Sequence, residues 1–495
     1  MSKYYLGIDN GGTASKAALY DSRGKELATA WRYVEILAPR EGWSERDAGR
    51  MWLDTAEAIR EVIEQVGVDS ADIAAVACTG YGNGLYIVDE SDRPVRNAIN
   101  SNDERAGAYI EDWRARGVDA AALPLTAQSI WAAQPNALLA WLRDNEPENF
   151  SRIKWVMMAK DYIRFMLTGE AAAEITDMSA TSLMNVVEGR YDDRVLELFG
   201  IESVRGMLPP LVESTQVCGE VTEDAARLTG LKAGTKVAGG MFDVDACAIA
   251  SGIVDSNQFS VVAGTWGNNQ YISREPLIDP DLFMTSRYCV PGWYLMLEGS
   301  PTSTGNMQWL IATVFAAERV EKGDGFHDWA DSQASSVDPA ASSIIFLPFL
   351  YGCNCGDLRS GFYGLSYKTT KAHLLAALFE GVVFSHYQHF NRLLDFIEKP
   401  ETIRLTGGAS RSGVWCRMFA DCMGIPVEVP RGTELGTFGA AMAAMVAGDE
   451  FASLTEAAGA LTSVARRYEP DMRRHEVYQR KYEKYQRLIG LLKQF

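Results

Sequence analysis

The sequence predicts an α/β protein made of two domains. The chain has 495 residues, and single hydrophobic cores stop growing at about 250–300 residues, so at least two cores are expected. In the first half, strand-like runs such as Ile73 to Thr79 alternate with helix-like runs such as Met51 to Val66, as is typical of α/β domains. Each half also contains two apolar runs joined by a glycine turn, at Tyr4 to Asp21 and at Phe259 to Ile272. This repetition indicates a duplicated element, with one copy in each half.

Composition and charge exclude several classes of protein. Hydrophobic residues make up 47% of the chain, which predicts a globular protein. The formal net charge of -18 argues against a nucleic-acid partner, since such proteins present basic stripes. There is no signal-like start and no apolar run of membrane-spanning length, so we expect a cytoplasmic protein that does not associate with a membrane.

The cysteines predict an intracellular environment. Eight cysteines are scattered without a regular framework, which favours reduced thiols in a cytosol. Cys353 and Cys355 are too close together for a zinc knuckle and have no matching partner pair. We therefore expect no metal site at these two residues.

The first glycine turn carries groups suited to phosphate. Two apolar runs joined by such a turn predict a β-hairpin, and the turn reads Asp9-Asn10-Gly11-Gly12-Thr13. Glycine lets the backbone approach a ligand closely, and N–H groups in turns can bind anions. Asp9, at the strand end, could hold a hydrated magnesium ion. The candidate phosphate-binding residues are Gly12, Thr13, Ser15 and Lys16. An ordinary N-terminal hairpin with a tight turn is the alternative.

The second hairpin repeats the pattern. It reads FSVVAGTWGNNQYI and has Gly264 and Thr265 in its turn. Two such hairpins in separate halves are what a duplicated nucleotide clamp requires. They resemble the paired phosphate hairpins of the actin/hexokinase/Hsp70 ATPase superfamily.

Two longer motifs narrow this resemblance to the FGGY carbohydrate kinases. Ser360 to Glu380, SGFYGLSYKTTKAHLLAALFE, is similar to the second signature of that family except at Leu378. Ala133 to Asn145, AQPNALLAWLRDN, resembles the first signature but departs from it at Ala133 and Leu138. The motifs follow the order of the family along the full length of the chain.

The resemblance implies two actin-like (ribonuclease H-like) ATPase domains with a cleft between them. Residues 1–252 would form the domain with the sugar site, the first phosphate hairpin and the catalytic Asp. Residues 253–495 would form the ATP-binding domain. ATP and Mg²⁺ are the implied cofactors, a small-molecule sugar is the implied partner, and a homodimer is the possible assembly.

The resemblance also assigns an ATP site in the second half. The strand Ile403 to Thr406 leads into Gly407-Gly408, and a Gly-Gly turn at a helix N-terminus can accept adenosine or its phosphates without a side-chain clash. The adenosine loop of the family maps onto Gly407, Gly408 and Ser412. Gly305 lies in a Ser/Thr/Gly loop like the one under the nucleotide, and Gly264 and Thr265 would approach the phosphates. The small-residue helix from Gly436 to Ala444 is expected to pack behind the adenosine loop.

Asp243 is the candidate catalytic residue. The run VAGGMFDVDACAIASG predicts a strand that ends in Gly239-Gly240, followed by a turn with Asp243 and a helix. A carboxylate exposed at such a turn is well placed for acid–base work, and phosphoryl transfer needs a group that orients the acceptor hydroxyl and takes its proton. The catalytic Asp of the family occupies a similar turn, and Asp243 would also contact the sugar. Asp245 is the alternative, although it could simply be an acid at the start of the helix.

Three further residues are candidates for sugar binding. The turn Gly80-Tyr81-Gly82-Asn83-Gly84 has the wrong spacing for a dinucleotide fingerprint and precedes a strand. In the family this turn faces the sugar, so Asn83 is a candidate contact. Asp103 and Arg105 resemble an Asp-x-Arg near the acceptor, but Asp103 could instead cap a helix. Lys160 and Asp161 could line the cleft, or Asp161 could be a helix cap.

The motifs together imply ATP-dependent phosphorylation of a sugar hydroxyl. The expected acceptor is a ketopentose or keto-sugar acid such as L-xylulose or 3-keto-L-gulonate, and xylulose, ribulose, erythritol and glycerol kinases of the same family are the alternatives. A non-catalytic sugar or nucleotide sensor could share the fold, although Asp9, Thr13 and Asp243 argue against it. An actin- or Hsp70-like ATPase for protein partners would need a partner-binding region, and the sequence shows none.

Overall fold

The structure, a computed structural model, describes residues 3–300, 302–353, 358–432 and 434–494. The chain forms two compact units. The first unit comprises Met1–Val254, Ile272–Met296 and Gly432–Thr462, and the second comprises Asp255–Tyr271, Leu297–Arg431 and Ser463–Phe495. The chain therefore first leaves the first unit after Val254 and later returns to it twice.

Strands and helices alternate through most of the described chain. The strands are β1 Tyr4–Asn10, β2 Ala14–Asp21, β3 Glu26–Tyr33, β4 Glu45–Arg46, β5 Ile73–Gly80, β6 Tyr86–Val88, β7 Ala98–Ile99, β8 Trp155–Met157, β9 Ala173–Glu174, β10 Leu211–Val212, β11 Val217–Glu220, β12 Lys236–Ala238, β13 Met241–Phe242, β14 Gln258–Ala263, β15 Gly267–Ser273, β16 Met284–Arg287, β17 Tyr294–Ser300, β18 Ile345–Leu347, β19 Gly361–Tyr363, β20 Thr402–Thr406, β21 Val427–Pro430 and β22 Val464–Tyr468. The helices are α1 Ala48–Val66, α2 Gly107–Ala115, α3 Val118–Thr126, α4 Pro135–Asn145, α5 Pro147–Ser151, α6 Ala159–Thr168, α7 Ile175–Met178, α8 Asp193–Phe199, α9 Glu223–Thr229, α10 Asp243–Ala250, α11 Gly305–Thr313, α12 Ala316–Lys322, α13 Phe326–Ser335, α14 Lys371–Leu394, α15 Gly413–Met423, α16 Leu435–Ala447, α17 Leu454–Leu461 and α18 Met472–Leu492.

The first unit is built on a mixed sheet in the strand order β11-β12-β5-β1-β2-β3. Strand β1 pairs antiparallel with β2 and parallel with β5, and β13 pairs parallel with the end of β5. Strand β1 is apolar and largely buried, as expected for a strand covered on both faces. Helix α1 packs against β2 and β3, and α16 packs against β1 and β5.

Helix α16 lies unusually close to its neighbours because glycines remove the side chains between them. A Cβ atom on Gly7 of β1 would lie 1.9 Å from the carbonyl oxygen of Thr437. A Cβ on Gly439 of α16 would lie 2.3 Å from the carbonyl oxygen of Ala246 in α10. Both approaches are possible only for glycine. Helix α16 therefore packs closely on β1 and α10 within the first unit, and its expected position behind the adenosine loop stays a prediction.

The second unit contains a sheet in which β15, β14, β20, β21 and β22 are neighbours in that order. Strand β14 pairs antiparallel with β15 and parallel with β20. Strand β20 pairs parallel with β21, which pairs antiparallel with β22. As in the first unit, a hairpin therefore adjoins a parallel strand, so the hairpin turn and the end of that parallel strand lie at the same edge.

Most predicted elements are present. Both glycine hairpins form, and the predicted helix from Met51 to Val66 begins three residues earlier, at Ala48. Within the described stretches, no helix combines the length and apolar character needed to cross a bilayer.

One expectation about the cysteines is wrong. Among the described residues, the free cysteines are Cys78, Cys218, Cys247, Cys289, Cys416 and Cys422. Cys353, by contrast, is bonded in a disulfide, so uniformly reduced thiols are not observed. Cys355 lies outside the described residues.

Candidate active site

Three sequence-predicted residues lie at one edge of the sheet in the first unit. Asp9 pairs with Thr79 in the parallel register of β1 and β5, and β13 pairs with the same end of β5. Strand β13 leads directly into Asp243, and β5 leads into the turn that contains Asn83. Ligands of open α/β sheets bind at the carboxyl ends of parallel strands. The topology therefore places a candidate site at this edge.

The first hairpin presents its turn to solvent but keeps Ser15 inside. Gly12 and Thr13 are exposed. Ser15 is fully buried, and its Oγ accepts hydrogen bonds from Asn10 Nδ2 at 3.1 Å and from Arg46 Nη2 at 2.7 Å. Ser15 thus holds the hairpin from within, and its predicted contact with ATP stays a prediction.

Lys16 and Asp9 form a charged group beside this turn. Lys16 Nζ lies 2.7 Å from Glu434 Oε2, which comes from the loop before α16. Burial raises the pKa of Asp9 to about 6, while Lys16 lowers this pKa and Glu434 raises it. A Cβ on Gly436 would lie 2.6 Å from Asp9 Oδ2, so the glycine in α16 makes room for the carboxylate. Asp9 remains partly exposed.

Asp243 and Asp245 occupy different environments although only two residues separate them. Asp243 is the first residue of α10 and is partly exposed. Burial, together with the charge of Asp9, raises its pKa to about 8, and the N–H of Val244 opposes this shift. Asp245 is fully buried, and its Oδ1 accepts a hydrogen bond of 2.9 Å from the N–H of Cys289. Asp243 is therefore reachable by a ligand, whereas Asp245 anchors the backbone.

The glycine turn after β5 places Asn83 in a special conformation. Asn83 has φ of 63°, in the left-handed region, which Asn tolerates better than most residues. Its side chain is buried, and Oδ1 makes no hydrogen bond among the described residues. Buried polar atoms are rarely left unpaired, so each such atom calls for an explanation.

Asp103 and Arg105 are engaged with the loop before α1. Asp103 accepts hydrogen bonds from the N–H of Ser44 at 2.6 Å and from the N–H of Arg105 at 2.9 Å. Helix α2 begins at Gly107 with Ala106 as its N-cap, so the interpretation of Asp103 as a helix cap is wrong. The Arg105 guanidinium pairs with Asp103 and Glu45 and stacks on Trp43. Contact of either side chain with a sugar stays a prediction.

Lys160 and Asp161 belong to a buried group of charges. Lys160 Nζ lies 2.8 Å from Asp161, 3.3 Å from Glu174 and 3.6 Å from Asp177, and all four side chains are fully buried. Burial lowers the pKa of Lys160, but the three carboxylates outweigh it and raise this pKa overall. Met158, not Asp161, is the N-cap of α6. This buried network packs against the turn that contains Asn83, since a Cβ on Gly82 in that turn would lie 2.8 Å from Asp177 Oδ1.

The second hairpin is fixed by the loop that precedes α11. The N–H and the Oγ1 of Thr304 each donate to the carbonyl oxygen of Gly264 at 2.8 Å. The N–H of Ser303 donates to the carbonyl oxygen of Thr265 at 3.0 Å. Gly305 follows directly, and a Cβ on it would lie 3.4 Å from Thr265 Cγ2. The structure therefore brings together Gly264, Thr265 and Gly305.

Gly407 and Gly408 complete this group from the end of β20. Gly407 has φ of 82°, and a Cβ on it would lie 2.6 Å from the carbonyl carbon of Ala263. A Cβ on Gly408 would lie 3.4 Å from Thr304 Oγ1. The backbone of this loop thus approaches the hairpin as closely as glycine permits.

A cavity of about 370 Å³ adjoins these glycines. Its volume falls in the range of small-molecule sites, about 300–1,000 Å³. Ser412 caps α15 and donates to Asp331 at 2.8 Å. Burial raises the pKa of Asp331, and the bond from Ser412 lowers it. The lining residues include Met307, Ile311, Asp331, Phe379, Gly408, Ser412 and Trp415.

His386 is hydrogen-bonded to the second hairpin and to the loop before α11. Its Nε2 lies 2.8 Å from Ser303 Oγ, and its Nδ1 lies 2.9 Å from Asn269 Oδ1. Burial lowers the pKa of His386 to about 3, so the ring is neutral near pH 7. The ring is buried, as is typical of a core histidine.

Several residues that contact the candidate site residues were not predicted from the sequence. Arg46, Glu434 and Asp331 reach the site residues from segments far away in the chain, and Thr176 bonds the backbone next to Asp243. None of them lies in a glycine motif. Only Thr176 had a local sequence pattern that hinted at a role, although a weak one, because it lies in a polar stretch that follows an apolar helix.

Comparisons with known proteins show which family the chain belongs to. The model of the FGGY family of carbohydrate kinases, N-terminal domain, matches residues 4–250, and the model of the C-terminal domain matches residues 259–448. An L-xylulose/3-keto-L-gulonate kinase of Escherichia coli K12 is 40% identical over 100% of this chain and 98% of that protein. A probable L-xylulose kinase of Pasteurella multocida is 37% identical over 92% of each chain. The crystal structure of a xylulose kinase from Rhodospirillum rubrum has a TM-score of 0.90 and 27% identity, covering 100% of this chain and 99% of that one.

These matches confirm the predicted class: an α/β protein of two domains that phosphorylates a carbohydrate with ATP. The chain belongs to the FGGY family of carbohydrate kinases. The predictions of a nucleotide-dependent enzyme and of a sugar as its acceptor are confirmed with it.

Proposed function

We propose that this kinase phosphorylates a ketopentose or a keto-sugar acid, with L-xylulose and 3-keto-L-gulonate as the first candidates. The observation that carries the proposal is the 40% identity, over the full chain, to a kinase named for these two sugars. The probable L-xylulose kinase at 37% identity supports the same acceptor. A ketose and a keto-sugar acid share the carbonyl and the row of hydroxyls that a polar site can recognise.

Asp243 is the general base of the proposed reaction. The acceptor hydroxyl oxygen forms a bond to the γ-phosphorus while the bond from that phosphorus to the bridging oxygen of ADP breaks, and the hydroxyl proton passes to the Asp243 carboxylate. A base works best when its pKa lies near the working pH, and burial raises the pKa of Asp243 to about 8. Its partial exposure at the start of α10 supports this role. The burial of Asp245 and its bond to Cys289 argue against the alternative base.

The ATP site is proposed from two sets of residues. In the second unit, adenosine would occupy the cavity beside Gly408 and Ser412, where Phe379 and Trp415 supply apolar surface. The turns with Gly264 and Thr265, and with Gly12 and Thr13, would bind phosphates through backbone N–H groups. Lys16 would neutralise phosphate charge, since its ammonium group is only partly buried beside Glu434.

Asp9 is the proposed magnesium residue. Mg²⁺ is usually bound by one or two carboxylates, with water and substrate phosphates as its other ligands. The partly exposed carboxylate of Asp9 fits this requirement, and the described residues contain no larger cluster of metal ligands. When bound, the ion would neutralise charge on the phosphates. Asp9 would hold it through water.

Asn83 is the proposed sugar contact. Its Oδ1 is buried and without a hydrogen bond among the described residues, so a sugar hydroxyl would satisfy it. Asp103 and Arg105 would support the site, since the loop at Ser44 is held by Asp103. The cytoplasm as location, expected from the sequence, and a homodimer as assembly, taken from the family resemblance, complete the proposal.

Coupled ADP release over a panel of acceptors tests the proposal. The panel comprises L-xylulose, 3-keto-L-gulonate, D-xylulose, L-ribulose, D-ribulose, erythritol and glycerol. We expect the highest kcat/KM with one of the first two. A clear preference for another acceptor would reject the proposed sugar while leaving the kinase intact. Bound ATP with no ADP release on any acceptor would reject the proposed sugars and point to a sensor or to an acceptor outside the panel.

A further inference from the structure

The short segment that leads into Asp243 is held by side-chain hydrogen bonds at three of its residues, Gly239, Met241 and Phe242. The carbonyl oxygen of Gly239 accepts a hydrogen bond of 2.6 Å from Arg164 Nη1. The carbonyl oxygen of Met241 accepts one of 2.8 Å from Thr79 Oγ1. The N–H of Phe242 donates to Thr176 Oγ1 at 2.9 Å. The last of these bonds fixes the residue immediately before Asp243.

Thr176 is itself held by the buried group of charges. Its Oγ1 donates to Glu174 Oε2 at 2.7 Å, while Ser214 Oγ donates to Glu174 Oε1 at 2.7 Å. Lys160 Nζ lies 3.3 Å from Glu174 Oε2, and both side chains are fully buried. Because the Thr176 hydroxyl donates to Glu174, its lone pairs are directed toward the N–H of Phe242. The chain from Lys160 to Phe242 therefore leaves this hydroxyl little freedom.

The same group contacts the turn that carries Asn83. A Cβ on Gly82 would lie 2.6 Å from the Phe242 ring and 2.8 Å from Asp177 Oδ1. Phe242 is thus packed against the Asn83 turn on one side and bonded to Thr176 through its backbone. A shift of Phe242 would change the separation between Asn83 and Asp243.

We propose that Thr176 is a positioning residue for catalysis, which sets the place of the Asp243 carboxylate through the N–H of Phe242. The inference rests on the proposed role of Asp243 as general base. Displacement of a reacting group by 1 Å can reduce the rate by about 10²-fold. Loss of the Thr176 hydroxyl should therefore reduce kcat without weakening ATP binding.

Three variants test this role. Thr176→Val keeps the shape but removes both hydrogen bonds, and Thr176→Ser restores the hydroxyl. Thr229→Val is the matched control, because the hydroxyl of buried Thr229 likewise donates one hydrogen bond and accepts one. It donates to the carbonyl oxygen of Ala225 at 2.8 Å and accepts from the backbone N–H of Leu231 at 3.2 Å. Thr229 lies at the end of α9, outside the segment that holds Asp243.

We expect Thr176→Val to lower kcat by about 10- to 100-fold while the KM for ATP changes by less than about twofold. Thr176→Ser should stay within about threefold of the wild type, and Thr229→Val should keep the wild-type kcat. A kcat for Thr176→Val equal to that of Thr229→Val, or a Thr176→Ser variant as slow as Thr176→Val, would overturn the proposal. If Thr176→Val does not fold, Ser214→Ala, which removes the hydrogen bond from Ser214 Oγ and leaves Glu174 Oε1 with only the N–H of Thr176, should lower kcat in the same direction, and an unchanged kcat would overturn the proposal.

Asp243→Asn, assayed in parallel, distinguishes the general-base role of Asp243 from the positioning role of Thr176. Retained turnover in Asp243→Asn would reject the general base itself. An inactive Asp243→Asn beside a fully active Thr176→Val would reject only the positioning role.

Discussion

The raised pKa of Asp243 predicts that the catalytic carboxyl group costs stability. Burial and the charge of Asp9 raise this pKa from an ordinary 3.8 to about 8. Between these two values the folded chain holds a proton that the unfolded chain has released. The free energy of unfolding must therefore fall as the pH rises through this window, by up to about 1.4 kcal/mol per pH unit from this group.

Asp243→Asn should remove that slope, because an amide does not ionise. From pH 5 to pH 7 the upper limit is two units at about 1.4, or about 2.8 kcal/mol. Asp243 is partly exposed, and solvent screens its charge, so we expect about 1–2 kcal/mol. Relative to the wild type, the variant should therefore gain this much stability between the two pH values. Its turnover should fall about 10²- to 10⁴-fold with ATP binding retained.

Urea unfolding of both proteins at pH 5 and pH 7 measures the difference, and coupled ADP release measures the turnover. Asp324→Asn serves as the control, since Asp324 is exposed in a short turn between α12 and α13. A stability difference that does not grow with pH would refute the buried environment of Asp243. Near-normal turnover would refute its role as base, whatever the stability.

Two further variants test the second unit. Gly407→Ala should destabilise the protein by more than about 1 kcal/mol in thermal or urea unfolding, because φ is 82° and the added Cβ would lie 2.6 Å from the Ala263 carbonyl carbon. Gly459→Ala in α17, where a Cβ meets nothing within 4 Å, should be neutral or stabilising, and equal losses in the two variants would contradict the close approach. Ser412→Ala removes the cap of α15 and the bond to Asp331, so we expect a loss of about 0.5–2 kcal/mol and a higher KM for ATP. An unchanged KM for ATP would argue that this cavity does not hold the nucleotide.

The features that sequence reasoning found are those with a local pattern. Each hairpin was visible because apolar runs flank a glycine turn, and the segment before Asp243 was visible because Gly239-Gly240 ends an apolar run. Gly240 illustrates the physical cause, since its φ is 78° and a Cβ would lie 1.8 Å from the carbonyl oxygen of Cys78. Close backbone approaches of this kind require glycine, and glycine is conspicuous in a sequence.

The features that sequence reasoning missed depend on contacts between residues that are far apart in the chain. The residue paired with Lys16 is Glu434, 418 positions away, and the residue that fixes Ser15 is Arg46. A hydroxyl on a strand next to a glycine turn has the same local pattern whether it faces a ligand or an arginine. The alternative of Asp103 as a helix cap is wrong because its carboxylate binds the N–H groups of Ser44 and Arg105, whereas α2 begins at Gly107.

The return of residues 432–462 to the first unit affects how the protein can be synthesised. Helix α16 covers β1, and its backbone lies too close to Gly7 for any other residue to be tolerated there. A ribosome that has completed the first 254 residues has therefore made a sheet whose central strand still lacks its covering helix. Domains generally fold as units during synthesis. Here the apolar surface of β1 stays uncovered until α16, near the end of the chain, has been synthesised. We expect nascent chains of intermediate length to depend on chaperones, and a gene fragment that encodes only the first half to yield an aggregation-prone product.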